Sequence, residues 1–136
     1  MAAGLTPELA ALAATVLIHL AAVGWSQAAL TRDVGPRGNM GPRDGDLPLS
    51  QQTLRLRRAL ANHVENTGLF LTAVVLVSLT GSNSWFTAAC AWVYVAARAL
   101  YLPGYAFGWV PGRSILFTIG LVATLAMVAA GVAGGV

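Results

Sequence analysis

Arg58, Asn62 and Glu65 stand at i, i+4 and i+7 in the run R58-A-L-A-N-H-V-E65-N66, just before a long apolar segment. At about 100° per residue they share a helical stripe roughly 60° wide, with Arg55 and Thr72 on its edges and His63 pointing elsewhere. Tyr94, Arg98, Tyr101 and Tyr105 form a second series at i, i+4, i+7 and i+11, whose last step crosses Pro103. Arginine binds carboxylates bidentately. A buried glutamate suits an ammonium, and phenols supply further donors.

The ligand these groups match is a small zwitterion with two carboxylates, and glutathione is such a molecule. Its thiol becomes a nucleophile once a nearby cation lowers its pKa, and Arg113 is the candidate for that cation. The same spacing also fits a plainer role, in which polar side chains bind membrane helices to one another and an Arg–Glu pair fixes their register.

The elements that carry these residues belong in a membrane. Of 136 residues, 57% are hydrophobic and only 10% charged, with a mean hydropathy of +0.69; a soluble domain carries about 25% charged residues. The length suffices for about four spans of roughly 20 residues. We read one domain over 1–136, an all-α integral membrane four-helix bundle with spans near 8–30, 54–80, 85–102 and 114–133. Thr6-Pro7-Glu8 is a helix start, with a capping hydroxyl, a proline at the first helical position and an acid in the first turn. The first span lacks a basic leader and a cleavage site, so it reads as retained. Residues 31–52, punctuated by Gly, Pro and Asp, are expected to be irregular, with Ser50 capping the second helix. Gly81-Ser82-Asn83-Ser84 is a tight turn, and Pro103-Gly104 is expected to kink or end the third helix. The second and third helices are then antiparallel neighbours, so the two polar stripes are expected to meet at one depth.

Charge sets the orientation. Every basic residue is Arg, which excludes Lys-based Schiff-base and phosphate-loop chemistry. Six of the eight lie in the first loop and the start of the second helix: Arg32, Arg37, Arg43, Arg55, Arg57 and Arg58. The positive-inside rule puts that loop in the cytoplasm and the termini outside; no nucleic acid is needed to explain it. Asp33, Asp44 and Asp46 beside these arginines read as loop charges rather than a metal site. The single Cys90 excludes an internal disulfide and reads as a small core residue. His19 reads as an interhelical hydrogen-bonding group, His63 as a headgroup or loop contact, and the tryptophans as interfacial or packing residues.

The run R58-x-x-x-N62-x-x-E65-N66 resembles the signature of the MAPEG family, membrane-associated proteins of eicosanoid and glutathione metabolism. So does A97-R98-A-L-Y101-L-P-G-Y105, and G41-P42-R43-D44 resembles the loop of its bacterial members. Asn66 after the glutamate is similar to the microsomal glutathione transferase branch. The resemblance implies a homotrimer in a bacterial inner membrane, with periplasmic termini and glutathione sites at subunit interfaces opening to the cytoplasm. By that resemblance Arg58 and Asn62 hold glutathione's carboxylate and amide groups and Glu65 its amine. Tyr101 and Tyr105 bond the tripeptide, Arg98 is a further polar contact, and Arg113 stabilises the thiolate. The implied partners are lipids, further copies of the chain and a small hydrophobic substrate; glutathione is the co-substrate and no metal is involved. The implied activity is glutathione transfer or peroxide reduction. The alternatives are a non-catalytic membrane scaffold and, more weakly, a lipid- or quinone-binding protein.

Overall fold

The computed structural model describes residues 4–42 and 45–136. Arg43 and Asp44, part of the loop motif above, lie outside the described residues. Four helices follow one another: α1 Pro7–Met40, α2 Gln51–Leu79, α3 Trp85–Ala106 and α4 Gly112–Gly134. All four are long and apolar enough to cross a membrane, and each reverses direction relative to the one before it. Helix α3 packs on α4, α1 on α2, and α2 and α3 touch one another and every other helix. Helices α1 and α4 therefore occupy opposite corners.

The starts of the helices follow from local chemistry. The Thr6 hydroxyl accepts from the Leu9 amide at 3.2 Å, and Pro7 occupies the first helical position. Ser50 caps α2 by accepting from the Thr53 amide. Ser84 and Thr87 form a reciprocal capping box on α3. Each satisfies amides that a helix leaves without partners.

The structure departs from the sequence reading in the first loop and at Pro103. The first loop is shorter than its composition suggests, because helix continues through 31–40. The chain stays helical up to Val34 and breaks at Gly35, whose φ of 74° only glycine adopts freely. Pro36 then opens a last helical stretch, the position where a missing amide costs nothing. Likewise Pro103-Gly104, expected to kink or end the third helix, does not end α3, which runs on to Ala106 with Pro103 inside it. The helix stops instead at Phe107 and Gly108, the latter with φ 68°.

The core has two apolar halves. Phe70, Val74, Val77, Tyr94 and Met127 fill the half near the termini. Leu56, Ala59, Tyr101, Leu102 and Leu116 fill the half near the arginine-rich end. In a bilayer, helix association depends on close packing and interhelical hydrogen bonds rather than on removing apolar surface from water. Small residues provide the closeness: Gly120 lies 3.6 Å from the Tyr94 ring, measured from where its Cβ would be. Between the two halves lies a polar layer formed by His63, Asn66 and Arg98, all buried.

Candidate functional site

Helix α2 carries its polar residues on two faces. Asn62 and Asn66, one turn apart, point to α3. The Arg98 guanidinium donates from Nη1 to Asn62 Oδ1 at 2.9 Å. The Tyr94 hydroxyl donates to Asn66 Oδ1 at 2.8 Å, and its ring stacks on Phe70 at 4.0 Å. Arg58 and Glu65 lie on the other face and are exposed on the single chain. The two stripes thus meet through Asn62 alone among the three α2 residues singled out by spacing. The cause is geometric. A stripe 60° wide spans the boundary between the α3-facing and outward-facing sides of a helix with 3.6 residues per turn.

Arg98 is 2% exposed and has no acidic partner among the described residues. Its charge is met by Asn62 and by the Tyr101 ring, whose centroid lies 4.4 Å from Cζ, an attraction that strengthens when desolvated. Its Nε has no hydrogen-bond partner. The Tyr101 and Tyr105 rings meet edge-to-face at 5.6 Å. Arg113, in the first turn of α4, lies over the Tyr105 ring at 4.5 Å, and its Nε is also buried without a partner.

These residues border two cavities. Tyr101, Arg113, Ser114, Phe117 and Thr118 line one of ≈ 180 Å³. Arg55, Arg58, Tyr105, Gly108, Val110 and Arg113 line another of ≈ 150 Å³. Arg113 belongs to both. Helices α2, α3 and α4 thus bring Arg58, Tyr105 and Arg113 to one place, with Tyr101 adjoining through Arg113. Asn62 and Arg98 sit deeper, and Glu65 faces outward a turn beyond Asn62.

Other side chains depart from the sequence reading. His63 is not a headgroup contact. It is 3% exposed, its ring lies 5.7 Å from that of His19, and Nε2 bonds the Thr67 hydroxyl at 3.3 Å. Pointing away from Arg58 and Glu65 directs it into the α1–α2 contact. Cys90 is half-buried and packs against the core half that holds Phe70, Tyr94 and Met127, its other side in an apolar groove between α3 and α4 with Phe86, Val93, Ile119 and Val122. Glu8, read only as a first-turn acid, is 1% exposed; it accepts from Thr87 Oγ1 at 2.7 Å and Asn83 Nδ2 at 2.9 Å. Asn66 and Arg55 were also missed as contributors. A signal existed for each, since Asn66 is i+4 from Asn62 and Arg55 borders the first stripe. Among the described residues no three His, Cys, Asp or Glu side chains come together to hold a metal.

The fold and this arginine–tyrosine end define an integral membrane protein of four helices with a polar site at one end of the bundle. The model of the MAPEG family matches residues 7–133, nearly the whole chain, and the protein belongs to that family. No curated protein and no solved structure gives a significant match.

Proposed function

We propose that the protein binds glutathione and acts as a glutathione transferase or peroxidase on hydrophobic substrates. The observation that carries this reading is the convergence of Arg58, Tyr105 and Arg113 on one cavity at the arginine-rich end. Membership of a family that includes glutathione transferases and peroxidases agrees with it.

In this reading Arg58 and Asn62 hold the tripeptide's carboxylate and amide, and Tyr101 and Tyr105 hydrogen-bond it. Glu65 takes its amine, and Arg98 keeps Asn62 in place. Arg113 faces the sulfur, and its charge favours thiolate over thiol. In transfer, the thiolate forms a C–S bond to an electrophilic carbon as the leaving group departs or the added pair is protonated. In peroxide reduction, two glutathione molecules give a disulfide while the peroxide becomes an alcohol and water. The protein contributes positioning and charge stabilisation.

A homotrimer completes the site. Glu65 is exposed on the single chain two turns beyond Arg58, within the membrane-crossing α2, and a carboxylate facing lipid costs about 3 kcal/mol on insertion scales. A neighbouring copy laid against this face of α2 removes that cost. The six arginines between the end of α1 and the start of α2 support, by the positive-inside rule, a cytoplasmic position for this end, and in this reading the membrane is a bacterial inner membrane with periplasmic termini.

One pair of observations favours a second reading, a non-catalytic scaffold. The bonds Arg98–Asn62 and Tyr94–Asn66 use part of the polar set as glue within one chain. The family also includes non-catalytic members. The thermal unfolding midpoint of detergent-purified protein, with glutathione and with S-methyl glutathione, separates the two. A saturable rise that Glu65→Ala removes supports the site. No rise at millimolar glutathione, with the oligomer intact, leaves the scaffold.

A further inference from the structure

The cavity between α2 and the α3–α4 loop has a third guanidinium that glutathione binding leaves unassigned. Arg55 lies flat against Gly108, where an added Cβ would come within 2.9 Å of its Cζ and Nη1. The loop thus holds a glycine where the arginine approaches, and the arginine forms one wall of the cavity. Arg55, Arg58 and Arg113 surround ≈ 150 Å³ together with Tyr105 and no carboxylate. None of the three forms an ion pair among the described residues. Three like charges around so small a volume repel one another, and an anion there relieves the repulsion. Guanidinium forks and a phenol match phosphate oxygens.

The surroundings indicate where that anion comes from. Next to the cavity the loop exposes Phe107, Trp109 and Val110. It joins the ends of two membrane-crossing helices. Aromatic side chains at such a position mark the membrane–water interface, so the cavity lies at headgroup depth and opens beside lipid. Basic pockets between membrane helices at this level take anionic headgroups.

We propose that Arg55, Arg58, Tyr105 and Arg113 form a binding site for the phosphodiester of an anionic phospholipid. The acyl chains run down the apolar flank beside Val110. Because Arg58, Tyr105 and Arg113 also belong to the proposed glutathione site, lipid and glutathione displace one another, and membrane composition regulates access to the site. The lipid site itself stands without the glutathione reading.

The test uses the full chain in neutral detergent without glutathione, so it succeeds or fails independently of tripeptide binding. Phosphatidylglycerol, phosphatidylcholine of the same chains, or inorganic phosphate is titrated and the unfolding midpoint followed. A saturable rise with phosphatidylglycerol alone is expected. Arg55→Gln should weaken its apparent affinity about tenfold, as loss of one charged hydrogen bond does. Arg57→Gln, which removes an exposed arginine outside the cavity, should leave it unchanged. Equal loss in both variants would mean a diffuse basic surface and overturn the site. So would an equal response to phosphatidylcholine, and an equal response to inorganic phosphate would overturn the lipid as its source. Should Arg55→Gln fail to fold, Arg55→Lys keeps the charge and loses the planar fork against Gly108. A partial loss of affinity is then expected, and unchanged affinity overturns the assignment.

Discussion

The two ends of the bundle treat charge in opposite ways. Near the termini, Glu8 is fully enclosed and both its oxygens accept hydrogen bonds, from Thr87 and Asn83. At the other end, Arg55, Arg58 and Arg113 gather around a cavity with no acid among them. Burial of a charge is tolerated when hydrogen bonds replace its water. The Glu8 cluster meets that condition within the chain, so it joins α1 to the start of α3. The arginine cluster is only partly enclosed, and the buried Arg113 Nε has no partner within it, so a ligand there would find a free donor. Paired charge indicates structure, and charge of one sign around an opening indicates binding.

Mutations sharpen that contrast. Under the proposed function the largest effect is expected for Arg113→Ala, which should lower glutathione-dependent turnover about 10²-fold or more, as loss of one transition-state donor does, while the variant folds and assembles as the parent does. Turnover at the original rate would remove Arg113 from the chemistry. Glu8→Ala should do the reverse. It removes the two hydrogen bonds that tie α1 to the start of α3, although Thr87 Oγ1 keeps Ser84 O as an acceptor, and costs about 2 kcal/mol, read as a lower midpoint in detergent with glutathione affinity intact. A variant as stable as the parent would break the distinction between the two ends.

Smaller effects test the parts between. Ser50→Ala removes the cap from α2 and should cost about 1 kcal/mol, seen as faster amide exchange in the first turn at Thr53 and Leu54. Tyr94→Phe keeps the stack on Phe70 and loses only the bond to Asn66. Bonds of this kind between membrane helices average about 0.6 kcal/mol, so the midpoint should shift slightly and glutathione affinity not at all. A large change in affinity would extend the ligand site into the polar layer.

Much of this could be read before any coordinates. Composition and apolar run length determine four membrane helices, because a bilayer admits only segments that satisfy their own backbone. Thr6 and Ser50 mark two of the helix starts, since capping depends on residues within one turn; Ser84, read only as the end of a turn, caps α3. The order of Arg58, Asn62, Glu65, Arg98, Tyr101 and Tyr105 was enough for the family resemblance, and the family match covers 7–133.

Which way each side chain faces was decided by tertiary structure. Spacing put Arg58, Asn62 and Glu65 on one stripe. The neighbours of α2 divide that stripe, giving Asn62 to Arg98 and leaving Arg58 and Glu65 outside. Helical periodicity fixes angles between residues on one helix and says nothing about where the next helix packs. For the same reason His63 became a core residue, and the distant Glu8 and Thr87 became partners. Arg55, at the border of the stripe in sequence, reached the cavity because the α3–α4 loop turns back over α2 at Gly108.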